Sequence, residues 1–304
     1  MSGPLYVAAG GGGDALAALI LHHATTADTS PPVVVSYSWD RHLLDPTPGP
    51  RVPADFQHLR RLTDHTWEVT RESHLPAGGI SGLALLARHT DARFILLDPT
   101  HGAVGMHHQL TELINHLSAD LITLVDAGGD IAAHGHEPTL RSPLGDSLAL
   151  AATAGLNLPA NVAVVGPGLD GELADTDIRH DMTTLDAHTH TLQPADVEAY
   201  LPALHHHPSE ATMLVIAAAL GIRGRVEIRD AGALVDLTAS SADVLTAPAD
   251  AVLAINNIAQ KLVATQSFRD AEAITTSICG TTELDHERRK AHTLANHRPA
   301  EPAT

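Results

Sequence analysis

The groups able to do chemistry gather where apolar runs end. Asp14 follows Gly10, Gly11, Gly12 and Gly13, and Asp40 stands between Trp39 and Arg41. Asp98 closes a third run, Asp126 and Asp130 bracket Ala127, Gly128 and Gly129, and Asp170 and Glu172 bracket Gly171. Paired carboxylates suit Mg²⁺ or Mn²⁺, which take one or two carboxylates together with water and substrate phosphates. Asp126 and Asp130 are accordingly expected as metal ligands and as catalytic groups that polarise a nucleophile. The competing account is local: Asp caps helices, and Asp and Gly together make turns.

The four glycines carry no Cβ, so successive N–H groups can turn towards one ligand, and a helix N-terminus adds partial positive charge there. That pattern predicts a cradle for phosphate or a nucleotide. The loop can be fitted to the dinucleotide pattern G-x-G-x-x-A through Gly10, Gly12 and Ala15, with Asp40 near the position of the ribose acid. Asp14 speaks against it, because its carboxylate would face the pyrophosphate. An acid there suits a metal, an amine or a hydroxyl, or it caps the first helix. Arg41 is expected either to grip a phosphate or carboxylate bidentately or to pair with a neighbouring acid. Ligand contacts are also expected from Trp39, Gly128, Gly129, Asp170 and Glu172. Ser142-Pro-Leu-Gly-Asp146 opens a helix, and either polar residue can cap it.

The chain has 22 histidines and two lysines, Lys261 and Lys290. His22-His23, His107-His108, His134 with His136, His188 with His190, and His205-His-His207 form clusters, none with the H-E-x-x-H spacing of a zinc protease. Most are read as surface polar groups in place of lysine. His101 and His134 follow site loops and are the general-base candidates. No lysine follows the glycines, which excludes a Walker-type loop. There is no G-x-S-x-G elbow, and Cys279 has no motif around it. The Asp126–Asp130 run, D-A-G-G-D, is loosely similar to the D-A-H-x-D run of the arginase-type hydrolases, which use two manganese ions. Gly128 replaces its histidine, so one ligand of that set is missing.

Positioning these residues requires buried strands. Leu5–Ala9, Val33–Trp39, Arg93–Leu97, Leu121–Val125 and Asn161–Val165 read as such strands, with Trp67–Thr70 as a short edge strand. Helical patterns alternate with them, which predicts a Rossmann-like α/β domain with a parallel sheet flanked by helices. Ligands of open α/β sheets bind outside the carboxyl ends of the strands, where all these acids fall. From about residue 194 a more helical part is expected: 196–204, 209–220, 246–264 and 268–278, with Arg225–Arg229 as a last strand. One domain is expected over 1–284 and a flexible tail over 285–304.

A net charge of −18 argues against a partner with a phosphate backbone, so no nucleic acid is expected. One cysteine excludes an internal disulfide framework. No leader and no apolar run of membrane-spanning length is read, so no membrane association and a cytoplasmic location are expected. The expected partners are a small-molecule ligand and, in a homo-oligomer, further copies of the chain.

Taken together, Gly10–Asp14, Ser38-Trp-Asp-Arg41, Asp45-Pro-Thr-Pro-Gly-Pro50, Asp126–Asp130, Ser142–Asp146, Gly168–Leu173 and Pro208–Ala211 resemble one of the numbered domain-of-unknown-function families, first described from archaea and also found in actinobacteria. The resemblance covers most of the chain up to about Arg229. It implies the fold and the map of the site, and it carries no activity. The leading expectation is an enzyme that acts on a small polar, phosphorylated or nucleotide-like metabolite with a divalent metal as helper, in a biosynthetic role. The alternatives are a non-catalytic binding or sensor protein for an amino-bearing molecule and a dinucleotide-dependent oxidoreductase.

Overall fold

The structure, a computed structural model, describes residues 3–27, 30–204, 209–228 and 233–296. The His205–His207 cluster, Pro208, Arg229 of the expected strand and residues 297–304 of the expected tail lie outside the described residues.

Eleven strands are described: β1 (Pro4–Ala8), β2 (Val33–Ser36), β3 (Arg60–Arg61), β4 (Trp67–Val69), β5 (Arg93–Leu96), β6 (Leu121–Ala127), β7 (Ala160–Val165), β8 (His188–Thr191), β9 (Gly224–Ile228), β10 (Ala233–Leu237) and β11 (Asp243–Pro248). The helices are α1 (Asp14–Thr25), α2 (Gly82–His89), α3 (Gly102–Leu117), α4 (Pro143–Thr153), α5 (Asp175–Thr184), α6 (Pro194–Glu198), α7 (Leu201–Leu204), α8 (Glu210–Ala219), α9 (Ala249–Ile255), α10 (Asn257–Leu262), α11 (Phe268–Cys279) and α12 (Glu283–Asn296).

Nine strands form one sheet in the order β3-β4-β5-β2-β1-β6-β7-β11-β8. Its centre, β5-β2-β1-β6-β7, is parallel throughout. These are the near-continuous apolar runs that a strand covered on both faces requires. Alternate side chains feed two cores. Tyr6, Ala8, Val34, Phe94 and Val125 pack with α1, α2 and α8, and Leu5, Val7, Val35, Ile95 and Leu124 with α3, α4, α10 and α11. Among the five parallel strands the spatial order is third, second, first, fourth, fifth. The direction of winding therefore reverses between β1 and β6, and the crevice outside their carboxyl ends is where ligands bind in such sheets.

The C-terminal part is helical with four departures from expectation, the first being that 196–204 is not one helix but the short α6 and α7, broken at 199–200. Residues 246–264 are not one helix: β11 continues to Pro248, and α9 and α10 break at Asn256. The Asn256 side chain accepts from Ala259 N and donates to Ile131 O, both at hydrogen-bond distance, so it caps α10 from inside the core. β9 is not the last strand of the sheet but pairs antiparallel with β10 in a separate hairpin. β11 instead inserts between β7 and β8, antiparallel to both. The segment expected to be loose from Asp285 is helical to Asn296, because Glu287 and, just before the segment, Glu283 dock onto the body of the protein.

Candidate functional site

β1 ends on the glycines and delivers Asp14 as the first residue of α1. Asp14 does not cap this helix, since the cap position is Gly13. Its carboxylate turns back and accepts from Gly10 N at 2.7 Å and, across the reversal point, from Ala127 N at 3.1 Å. Asp126 closes β6 and accepts from Ile131 N at 3.0 Å. Asp146 enters from the first turn of α4. Ligand oxygens of Asp14, Asp126 and Asp146 all lie within 4.8 Å of one another, and all three residues are buried. Asp130, Asp170 and Glu172 form a second group of the same tightness.

Gly10 shows how closely these parts approach. A Cβ there would lie 2.7 Å from Asp146 Oδ2 and 3.0 Å from Asp14 Oδ2, so the space belongs to the carboxylates. At Gly128, φ is +129° and a Cβ would lie 2.5 Å from the Asp170 carboxylate.

The described donors to Asp14 and Asp126 are backbone amides, which leaves negative charge facing negative charge in a buried place. Burial and the surrounding acids consequently raise the carboxyl pKa values. Asp14 is pushed up to about 7, chiefly by burial. Asp126 rises well above the ordinary carboxylate range through burial and the charges of Asp14 and Asp170. Asp130 and Asp146 rise similarly, each by burial first and by its acidic neighbours second.

The two groups differ in how their oxygens are employed. Glu172 accepts from Arg141 N at 2.6 Å, Ser142 N at 2.9 Å and the Ser142 hydroxyl, and Asp170 accepts from Glu172 N at 3.0 Å. These bonds fold the 168–173 loop onto the start of α4. By contrast, Asp146 Oδ1 is buried with no hydrogen-bond partner among the described residues.

Sequence reasoning passed over Asp146 as a cap and missed Glu283 and Glu287. Glu283 accepts from Leu144 N at 3.0 Å and Gly145 N at 2.6 Å, occupying the N-terminus of α4. Burial raises its carboxyl to about 7. Glu287 accepts from Trp39 Nε1 at 2.9 Å and Gly49 N at 2.8 Å. Their spacing of four residues, one face of a helix, was the available signal.

The remaining expected residues fall elsewhere. Gly11 and Gly12 have φ of +79° and +49°, and Gly11 packs on Trp39. Gly13 lies under Ser209, and its carbonyl accepts from Thr212. Gly129 abuts Ile178 and Val164. Asp40 belongs to a separate buried cluster, accepting from Gly82 N at 3.0 Å and Ser38 Oγ at 3.3 Å. Arg41 pairs with Glu210 at 2.5 Å at the surface. His134 pairs with Asp181 at 2.9 Å, and His101 is exposed at the start of α3. A cleft of about 420 Å³ runs between Gly168, Gly171, Glu172 and the β10 residues Leu234 and Asp236, bordering the second acidic group.

No helix among the described residues is long and apolar enough to cross a membrane. A protein-family model with the description Protein of unknown function (DUF1152) matches residues 5–291. No curated protein and no solved structure matches the chain.

Proposed function

The chain belongs to that family, and from its site we propose an enzyme that acts on a small polar, phosphorylated or nucleotide-like metabolite with divalent-metal assistance. One observation carries this reading: acids buried at the reversal point of the sheet meet one another and backbone amides. Such a cluster persists at neutral pH only with protons or a cation among the carboxylates. Mg²⁺ or Mn²⁺ supplies that charge and can bring a phosphate to a site whose own side chains would repel it. Asp126 is the central ligand, and the cleft beside Glu172 takes the organic part of the substrate. Crowding at Gly10 by two carboxylates disfavours a dinucleotide pyrophosphate on the glycine loop. We propose a cytoplasmic setting, in line with the acidic charge and single cysteine.

Thermal unfolding against Mg²⁺, Mn²⁺, phosphate, nucleotides, NAD(P) and amines tests the reading. A ligand at about 100 times its Kd stabilises by about 2.7 kcal/mol. Stabilisation that requires both metal and phosphate, and that Asp126→Asn abolishes, is the expected result. Stabilisation by amines without metal would make the protein a binding or sensor module, and a response to NAD(P) without metal would make it an oxidoreductase.

A further inference from the structure

The geometry points to one divalent-cation site bounded by Asp14, Asp126 and Asp146, with Asp146 Oδ1 as a direct ligand and Asp130 outside the ligand set. This deepens the reading above and rests on it for the presence of a metal. The cation is of the hard, oxygen-seeking kind, Mg²⁺ or Mn²⁺.

Four observations converge. Opposite ligands of an octahedral Mg²⁺ stand about 4.2 Å apart, twice the metal–oxygen distance. The oxygens of the triad already lie within 4.8 Å of one another, so little closure is needed. Asp14 and Asp126 are aimed by backbone amides, from Gly10 and Ala127 in one case and Ile131 in the other. Each such oxygen keeps a further lone pair, and hydrogen bonds of this type orient metal ligands.

Asp146 is different in kind. It is 4% exposed, yet Oδ1 has no partner. Capping α4 does not explain it, because Glu283 already takes the amides of Leu144 and Gly145. A buried acceptor without a donor costs free energy that a bound cation removes. The absence of a Cβ at Gly10 leaves room for both Asp146 oxygens and Asp14 Oδ2 side by side, since a Cβ would lie 3.1 Å or less from all three. In the neighbouring group, Glu172 is committed to Arg141, Ser142 and the loop it anchors, and Asp170 holds that loop's backbone. Asp130 shares its tight group with those two, while its charge still acts on Asp146 and Asp126.

The test is Mn²⁺ binding to the full chain after treatment with EDTA, read by the electron paramagnetic resonance of free Mn²⁺, together with melting in metal-free buffer. Wild type is expected to bind one ion. Asp146→Asn and Asp14→Asn are each expected to weaken binding about tenfold or more, and Asp130→Asn to weaken it clearly less, through the loss of a neighbouring charge alone. Asp146→Asn is also expected to raise the metal-free melting temperature while losing the rise that Mn²⁺ causes in wild type, a crossover that simple damage to the fold does not give. Should Asp146→Asn fail to fold, Asp14→Asn carries the same comparison. Wild-type affinity in Asp146→Asn, or equal losses in Asp130→Asn and Asp146→Asn, overturns this ligand set and leaves metal assistance standing. Failure of wild type to bind Mn²⁺ overturns both.

Discussion

A methyl group at Gly10 would have to displace one of two carboxylates, although nothing in the backbone conformation there calls for glycine. Gly10→Ala is therefore expected to cost about 1–3 kcal/mol, the usual range for overpacking, and to weaken Mn²⁺ binding with it. Chemical denaturation and Mn²⁺ titration of the same preparation check both. Asp40 makes a second prediction at this scale. Burial, with Asp45 and Glu287 nearby, holds its carboxyl at about 7, against 3.8 for the ordinary group. Between those values the folded state keeps a proton that the unfolded chain has lost. Its contribution to stability is thus complete below about pH 4 and is lost as pH rises through 7. Asp40→Asn, whose carbonyl can still accept from Gly82 and Ser38, is expected to match wild type near pH 4. It should exceed wild type by about 1–3 kcal/mol at pH 8, as denaturation at the two pH values will show. Asp14, Asp126, Asp170 and Glu172 were legible in the sequence because each follows an apolar run. Asp146 was not, since only the packing of α4 against Gly10 brings it to them.

Helix α12 ties distant parts of the chain together through carboxylates. Glu283 closes the N-terminus of α4, and Glu287 holds the indole of Trp39 and the amide of Gly49. Glu283→Ala leaves two buried amides to find other partners and is expected to cost about 1–3 kcal/mol, measurable by urea unfolding. Glu287→Ala is expected to shift tryptophan emission to the red, since Trp39, one of two tryptophans, is 6% exposed. Glu283 and Glu287 escaped notice because the surrounding residues are polar, which reads as a loose end when the partner surface is unknown. The same limit explains β11. Its residues 243–248 carry no stronger signal than the helical run that follows, and antiparallel insertion between β7 and β8 is a tertiary choice. The parallel strands were legible for the opposite reason: burial on both faces leaves an unmistakable apolar run.

Across the whole molecule, 36 acidic residues face 18 lysines and arginines. Self-repulsion of this size weakens the compact state and is screened by salt. Added NaCl is expected to raise the melting temperature of the metal-free protein by a few degrees, reaching a plateau. A rise with Mn²⁺ at constant ionic strength is separate from it. The position of β11 also has a consequence for how the protein is made. Chains emerge from the ribosome N-terminus first, at about 5–20 residues per second. Strands β1 to β7 can pair as soon as residue 165 is out, but β7 then presents a bare edge and β8 has no neighbour in the sheet. Both wait for residues 243–248, some eighty residues later. For those seconds the nascent chain carries an open row of amides and carbonyls that another chain could take, so crowded or slowed synthesis is when this protein is most prone to aggregate.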